Sequence, residues 1–224
     1  MTPVVLKLGG SLAESGRLRA LLALVSRARR SVVVVPGGGA FADAVRETQL
    51  ALGFSDEAAH DMALLAMHQM ADAMIALEPR LMGAETLFGI ARAWHRRRIP
   101  VWLPASLCAG DRRIPRDWSI TSDGLAARLA ERLGDVELVL VKSRTSRRTA
   151  SARILARQGI VDPVFPEIVE RADLAWRVLG PDDDGVLCDM LDVAERRSRN
   201  APAQRRRPAR PVARATRRQP AAKS

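Results

Sequence analysis

The sequence predicts an α/β protein, a three-layer α/β/α sandwich around a mainly parallel central sheet. Strand-like and helix-like segments alternate along the chain of 224 residues. The apolar runs at 4–6 and 31–35 are continuous, as is typical of strands that are buried on both faces of a parallel sheet. Each run leads into a glycine-rich turn, and parallel strands joined by a helix place such turns at one edge of the sheet.

A βαβα unit opens the chain. Its apolar patterns predict strands at 4–8 and 31–35 and helices over 17–30 and 40–52. Open α/β sheets bind ligands at the carboxyl ends of their strands, which is where both glycine turns of this unit are expected. This unit therefore predicts the ligand-binding edge of the sheet.

The middle of the chain continues the alternation. A helix is predicted over 55–77, with Ser55 as its N-cap and its methionines as core residues. A helix over 87–98 and a strand over 99–103 follow. The segment 105–118 lacks periodicity, so we predict a loop that is either functional or mobile.

The last third adds further elements to the same domain, which we predict to span residues 1–198. These are a helix over 125–133, a strand over 136–141, a basic segment at 143–157, a turn with a short helix at 160–169, a strand over 174–179 and a helix over 185–197. Because strands and helices keep alternating, this part is expected to extend the same mainly parallel sheet.

The basic charge of the chain lies at its C-terminal end. The formal net charge is +11, and eleven of the 36 Lys and Arg residues lie from Arg196 onward, without any Asp or Glu. The rest of the chain is therefore nearly neutral. Residues 199–224 are mostly Arg, Pro and Ala, with too little apolar surface to fold, so we predict a disordered tail. It is either a solubilising extension or a weak, salt-dependent contact for polyanions.

Other features predict a cytoplasmic protein. No stretch is long and apolar enough to span a bilayer, and the chain runs from Met1 almost directly into a strand, without a signal peptide. Cys108 and Cys188 lack metal-ligand spacing and are expected to be buried thiols. His60 and His68 are too far apart to share a metal on one helix, so no metal site is predicted.

Three groups of residues are expected to meet at the carboxyl edge of the sheet. They are Lys7 with Gly9, Gly10 and Ser11; Gly37, Gly38 and Gly39; and Thr121, Ser122 and Asp123. Together they supply a cation, two turns rich in free amides, and a carboxylate at a helix N-terminus. Phosphoryl transfer needs such groups, because positioning and charge stabilisation do most of its catalytic work.

Some of these residues have an alternative role. Thr121, Ser122 and Asp123 all suit a helix N-cap, so Asp123 is either a cap, a functional carboxylate or both. His60, near the start of its helix, is either a buried structural histidine or a group that reaches a substrate.

The three motifs resemble the amino acid kinase superfamily. That superfamily carries Lys-x-Gly-Gly-Ser near the N-terminus, Pro-Gly-Gly-Gly after the second strand, and Thr-Ser-Asp before a mid-chain helix. The resemblance implies a sheet-centred fold, ATP with Mg²⁺, a homo-oligomer, and transfer to a carboxylate or a phosphate without a phosphoenzyme.

Longer segments are similar to one short branch of this superfamily. They lie at 35–43, 55–60, 64–67 and 118–123. The branch includes the aminomethylfuran-methyl phosphate kinases of methanofuran biosynthesis, so the resemblance implies conversion of a furfuryl-type monophosphate to its diphosphate. The similarity covers residues 3–142 well and the remainder poorly.

The resemblance also implies roles for individual residues. Lys7 would lie on the transferring phosphoryl group, and Asp123 would orient a lysine or a bound Mg²⁺. The glycines of both turns, with Ser11, would bind phosphate or nucleotide. The residues expected at the phosphorylated small-molecule substrate are His60, Thr121 and Ser122.

The sequence departs from the superfamily pattern after the strand predicted at 136–141. An acidic pair that helps to hold the nucleotide is expected there, but residues 141–146 are basic. Either Lys142 is the second catalytic lysine, or the ATP site is degraded. The second case implies a non-catalytic ligand-binding or complex-forming subunit that descends from such a kinase.

Overall fold

The computed structural model describes residues 1–144 and 150–193. Six strands form one sheet: β1 (Val4–Leu8), β2 (Val32–Pro36), β3 (Leu81–Ala84), β4 (Ile99–Trp102), β5 (Glu137–Val141) and β6 (Ala175–Leu179). Their order across the sheet is β3-β4-β2-β1-β5-β6, and all the described strand pairs are parallel. The predicted parallel sheet is confirmed.

Helices cover both faces of this sheet. They are α1 (Ser11–Glu14), α2 (Leu18–Val25), α3 (Ala40–Leu52), α4 (Asp56–Leu77), α5 (Leu87–His95), α6 (Ala105–Cys108), α7 (Ser122–Leu133), α8 (Ala152–Arg157), α9 (Phe165–Arg171) and α10 (Asp184–Met190). One buried cluster joins the sheet to α5, α7 and α9, and another joins it to α2 and α10, while α4 contributes to both. The three-layer α/β/α sandwich is therefore confirmed.

The strand order places a topological switch between β1 and β5. From β1 the chain builds β2, β3 and β4 on one side, and it then crosses to build β5 and β6 on the other. Ligands of open α/β sheets bind in the crevice outside the carboxyl ends of such a strand pair. Here those ends lie side by side, because Leu8 is paired with Val141.

The alternation of side chains along β1 decides where Lys7 points. Val4, Leu6 and Leu8 belong to the cluster on the α2 face, whereas Val5 belongs to the cluster on the α7 face. Successive side chains of a strand point to opposite faces, so Lys7 shares the face of Val5. The lysine is thus directed toward α7.

Several elements differ from the prediction in extent. The predicted helix at 17–30 is too long, because α2 ends at Val25. Beyond it Ala28 forms an antiparallel bridge with Val193, and Arg30 donates to the Met190 carbonyl at 2.6 Å. The edge strand β3 was not predicted, since it is short and half-exposed and contains Gly83.

The segment 105–118 is not a loop throughout. It contains the short helix α6 and is tied to neighbouring helices. The Trp118 indole donates to Gln49 Oε1 at 2.7 Å, and Arg116 donates to Asp61 Oδ2 at 2.6 Å. These contacts hold the end of the segment against α3 and α4.

Two other predictions have mixed outcomes. Met67, Met70 and Met74 are buried core residues as predicted, but Met62 is 39% exposed. The basic segment at 143–157 contains α8, which begins with Ser151 as its N-cap. The helix predicted over 185–197 is too long, because α10 ends at Met190 and residues 191–193 are not helical. Residues 194–197 and the tail predicted at 199–224 lie outside the described residues.

Candidate active site

A buried carboxylate joins two lysines at the topological switch. Asp123 lies in the first turn of α7, Lys7 in β1, and Lys142 immediately after β5. Lys7 Nζ lies 2.7 Å from Asp123 Oδ1, and Lys142 Nζ lies 2.5 Å from Asp123 Oδ2. Both carboxylate oxygens are therefore taken by ammonium groups, and Asp123 does not cap its helix.

The electrostatics of this cluster favour an anionic ligand. Burial alone raises the pKa of Asp123, but the charges of Lys7 and Lys142 outweigh it and hold that pKa below its usual value. Burial, followed by the charge of Lys7, lowers the pKa of Lys142, whereas Asp123 opposes this shift. Two ammonium groups share one carboxylate, so a phosphate would meet an uncompensated positive charge.

Lysine itself is notable at these positions. The chain contains only three lysines, Lys7, Lys142 and Lys223, and all its other basic side chains apart from histidine are arginines. Lysine carries a compact charge on a flexible stem, whereas arginine carries a broad planar fork. In a chain that otherwise uses arginine, two of the three lysines converge on Asp123. Two compact cations therefore occupy this site.

The two glycine turns touch each other, backbone against backbone. A Cβ atom on Gly10 would lie 2.2 Å from the Gly39 nitrogen, and one on Gly37 would lie 2.4 Å from the Gly10 nitrogen. Gly39 also has a positive φ of 54°, which other residues rarely adopt. A Cβ on Gly38 would lie 2.4 Å from the Ala42 side chain. These four glycines are needed for packing whatever else their amides bind.

Gly9 has a different environment. A Cβ atom there would make ordinary contacts, 3.4 Å from the Val141 oxygen and 3.6 Å from Lys7 Nζ. The absence of a side chain is therefore not required by packing. It keeps the space next to the Lys7 ammonium group open.

Two cavities meet at the first glycine turn. The first cavity, of about 270 Å³, is lined by both turns and by side chains of α3, α4 and α7, including His60, Thr121 and Ser122. The second cavity, of about 630 Å³, is lined by residues that include Lys142 and Arg144. Ser11 and Glu14 line both cavities. A reaction between two ligands can therefore take place across this turn.

The wall of the first cavity contains residues that the sequence did not point to. The Arg46 guanidinium lies 4.2 Å from the centre of the Trp118 ring and 2.8 Å from Asp43 Oδ1. Both Arg46 and Trp118 line the cavity. They come from α3 and from the segment before α7, which have no sequence motif in common.

His60 is a buried member of the same wall. Burial lowers its pKa, although nearby Asp61 and a hydrogen bond to the Asp117 backbone oppose the shift. The imidazole is accordingly neutral at pH 7, since its ordinary pKa is already about 6.5. His68 has a separate structural role, because its Nε2 accepts from the Ala105 amide at 3.2 Å.

Polar contacts hold the end of β5 beside the first turn. Ser11 Oγ and Ser143 Oγ are 2.9 Å apart. The Arg17 guanidinium donates to the Lys142 carbonyl at 3.3 Å and forms a 2.5 Å ion pair with Asp184. Lys142 is thereby fixed through its backbone as well as through Asp123.

The predicted absence of a protein metal site remains a prediction. In residues 1–144 and 150–193, no cluster of three or more His, Cys, Asp or Glu side chains is suited to a metal ion. Both oxygens of Asp123 already contact lysines. These residues therefore fit a role toward ammonium groups better than a role as Mg²⁺ ligands.

No helix in the described part of the chain is long and apolar enough to cross a membrane. The cytoplasmic location stays a prediction.

Cys108 is buried as expected, and burial raises the pKa of its thiol to about 12, whereas Cys188 is only partly buried.

Comparison with known proteins identifies the family to which this chain belongs. The chain belongs to the Amino acid kinase family, whose profile matches residues 2–144. A curated relative, the [5-(aminomethyl)furan-3-yl]methyl phosphate kinase of Methanocaldococcus jannaschii, is 29% identical over 139 residues. That match covers 61% of this chain and 63% of the relative.

Solved structures share the fold at lower identity. Uridylate kinase from Archaeoglobus fulgidus superposes with a TM-score of 0.62 at 19% identity, over 84% of this chain and 95% of that one. UMP kinase from Bacillus anthracis gives 0.62 at 15% identity, over 85% and 91% of the two chains. Aspartate kinase from Synechocystis gives 0.59 at 13% identity, over 80% and 38%. The predicted amino acid kinase-like fold is confirmed.

Proposed function

We propose that this protein is an ATP-dependent kinase that transfers the γ-phosphoryl group to a phosphomonoester. The acceptor that we propose is [5-(aminomethyl)furan-3-yl]methyl phosphate, and the pathway is the biosynthesis of a methanofuran-type one-carbon carrier. The observation that carries the proposal is the Lys7–Asp123–Lys142 cluster at the carboxyl ends of β1 and β5, where Lys142 also lines the second cavity. The curated relative supports the choice of acceptor.

A phosphate acceptor suits the chemistry of this site. An acceptor phosphate oxygen forms a bond to the γ-phosphorus, and the bond from that phosphorus to the bridging oxygen breaks. The electron pair leaves with the β-phosphate of ADP. A phosphomonoester with a second pKa near 6 is largely a dianion at pH 7, so its oxygen needs no general base. The cavity accordingly needs cations and amides rather than a catalytic carboxylate.

Each member of the cluster has a distinct task in this proposal. Lys7 and Lys142 stabilise the charge on the oxygens of the moving phosphoryl group. Asp123 keeps the two ammonium groups apart and correctly aimed. The first cavity holds the acceptor beside His60, Thr121 and Ser122, and the second holds the nucleotide beside Lys142. The amides of Gly10, Ser11, Gly38 and Gly39 bind phosphate, whereas those of Gly9 and Gly37 already donate to the Val141 and Leu8 carbonyls at 3.3 and 2.9 Å.

ATP and Mg²⁺ belong to the proposal as substrate and metal. Mg²⁺ commonly binds to substrate phosphates and water with few protein ligands. The shortage of a suitable side-chain cluster among the described residues is compatible with that mode. No catalytic role of the side chains named above depends on the metal.

We also propose that the protein is a homo-oligomer. Three large apolar side chains on α3 and α4 are exposed, Leu50 by 88%, Leu52 by 75% and Leu65 by 56%. Exposed apolar side chains on neighbouring helices are typical of protein interfaces. Light scattering on the purified chain should give a mass above that of the 24.4 kDa monomer.

Turnover assays test the proposed reaction. Purified protein with ATP, Mg²⁺ and the furan monophosphate should release ADP and form a diphosphate that phosphorus NMR detects. Two matched acceptors, the corresponding alcohol and UMP, separate the need for a phosphate from the need for the furan ring. Failure to release ADP with any acceptor would overturn the assignment as a kinase, and turnover of UMP alone would overturn the acceptor.

One observation favours a second candidate, a ligand-binding subunit without kinase activity. The segment after β5 contains Lys142 and Arg144, where the superfamily pattern has an acidic pair that helps to hold the nucleotide. Calorimetric titration distinguishes the two functions. A binding subunit should take up the phosphorylated ligand but not ATP with Mg²⁺, whereas a kinase should bind both.

The tail at 199–224 is proposed to be a solubilising extension that contacts polyanions only weakly. Its basic composition supports this role. A chain that ends at residue 198 should keep its kinase activity and lose any retention on DNA at low salt. Loss of turnover on truncation would contradict the separation of tail from kinase domain.

A further inference from the structure

A second buried carboxylate, Asp162, lies behind the Lys7–Asp123–Lys142 cluster. It precedes α9, outside the segment matched by the family profile, and is only 6% exposed. Its Oδ2 accepts from the Thr121 amide at 2.8 Å and from the Gly124 amide at 2.6 Å. Its Oδ1 accepts from Thr121 Oγ1 at 2.6 Å.

These three hydrogen bonds cap the N-terminus of α7 with a side chain from another part of the chain. Thr121 occupies the N-cap position but makes no side-chain cap of its own, since its hydroxyl donates to Asp162. The amides of 121 and 124 flank Asp123 on both sides. The backbone that carries the central carboxylate is therefore fixed by Asp162.

We propose that Asp162 is a positioning residue of the phosphoryl-transfer site. It fixes the first turn of α7 so that Asp123 meets both lysines. This inference rests on the proposed kinase function. Asp162 touches neither lysine in the described contacts, so it acts through Asp123.

The pKa of Lys142 reports whether Asp123 is in place. Burial, followed by the charge of Lys7, lowers that pKa, whereas Asp123 opposes the shift through its charge and its hydrogen bond. Burial and the charge of Asp123 raise the pKa of Asp162 itself, although its hydrogen bonds from Thr121 and Gly124 oppose that shift. If Asp162→Asn lets Asp123 move away from Lys142, the pKa of Lys142 should fall further.

The tests compare Asp162→Asn with Asp111→Asn. Asp111 is a matched control, since its side chain is 7% exposed and accepts from Arg128 Nε at 2.7 Å, but it lies away from the lysines. Both variants should lose stability. Only Asp162→Asn should lower kcat, by about 10–100-fold. Mutating a residue that orients the direct ligands of a metal ion has an effect of this size.

Lysine side-chain NMR gives a readout that does not depend on turnover. With lysine labelled at Cε, the chain of three lysines should give three side-chain signals, and a Lys142→Ala variant assigns one of them. The Lys142 signal should titrate at lower pH in Asp162→Asn than in the wild type, and Asp111→Asn should leave it in place. An unchanged Lys142 titration in Asp162→Asn would overturn the positioning role.

Thr121→Val removes one hydrogen bond to Asp162 and leaves its carboxylate in place. This variant should fold even if Asp162→Asn does not. We expect the Lys142 signal to shift in the same direction as in Asp162→Asn, but by less. An unshifted Lys142 signal would overturn the positioning role whatever happens to kcat, because Thr121 also lines the acceptor cavity. If the wild type itself turns over no acceptor, the proposed kinase function fails, while the titrations still decide whether Asp162 positions Asp123.

Discussion

Two charged clusters lie along α7, and they differ in composition. Near its N-terminus, Asp123 is shared by Lys7 and Lys142. Further along, Arg128 pairs with Asp111 at 2.7 Å and with Glu131 at 2.6 Å.

The second cluster is more exposed to solvent. Its two carboxylates are contacted by four arginines, and three of these, Arg113, Arg132 and Arg171, have side chains that are 62%, 31% and 33% exposed. In the first cluster the side chains of Lys7 and Lys142 are only 6% and 17% exposed. Both clusters therefore contain more cations than carboxylates, but only the lysine cluster is shielded from water.

The largest expected effect in this comparison is on stability, from Asp123→Asn. Loss of the carboxylate leaves two buried ammonium groups without their partner, which should cost about 3–5 kcal/mol of unfolding free energy at pH 7. The cost should shrink at alkaline pH as Lys142, whose pKa is already lowered by burial, gives up its proton. Urea unfolding at neutral and alkaline pH measures both. An unchanged midpoint would show that Asp123 is not the counter-charge of this cluster.

Next in size is the catalytic effect of Lys7→Ala. Loss of this cation should lower kcat on the order of 10²–10³-fold, because it stabilises charge that develops in the transition state. Lys7→Arg should recover little of the activity, since the planar guanidinium does not fit the space of a compact ammonium group. The matched control is Arg128→Lys, which should destabilise the chain but keep its turnover. Full activity of Lys7→Arg would contradict the distinction between lysine and arginine.

A moderate effect is expected from Glu131→Gln. Hydrogen bonds from Arg171, with those from Arg128, outweigh burial and hold the pKa of Glu131 at about 2, below its ordinary value of 4.5. Its folded-state pKa is depressed, so its contribution to stability is present above about 4.5 and is lost as pH falls toward about 2.

Glu131→Gln should therefore lower the free energy of unfolding by about 1.5–3 kcal/mol at pH 7. Its stability should also fall less steeply in acid than that of the wild type. Urea unfolding between these pH limits measures the slope, and kcat serves as the control. If Glu131→Gln lowered kcat as strongly as Lys7→Ala, the two clusters would not have separate tasks.

The smallest effect expected is from Gly9→Ala. The added methyl group fits without a clash but stands 3.6 Å from Lys7 Nζ, in the space proposed for phosphate. Stability should stay nearly unchanged while turnover falls about tenfold, which corresponds to about 1.4 kcal/mol. Gly10→Ala is the contrasting variant, since its methyl group would overlap the second turn and destabilise the fold. Wild-type turnover in Gly9→Ala would show that the phosphate does not lie beside Lys7.

Much of this protein is determined by the sequence itself. Continuous apolar strands and the two glycine turns predict the parallel sheet and its ligand-binding edge. The two-residue period of β1 places Lys7 on the same side of the strand as Val5. These properties are local, since they depend on residues close together in the chain.

Only the tertiary structure decides the rest of the candidate site. Lys142 meets Asp123 across 19 positions of the chain, and Thr121 meets Asp162 across 41. The Arg46 guanidinium, in α3, lies over the ring of Trp118, in the segment before α7. No local pattern marks such partners, because a buried carboxylate or a ring contact depends on which segments the folded sheet brings together. The sequence by itself determined the edge where phosphate is expected, and the tertiary contacts decided which side chains hold the lysines there.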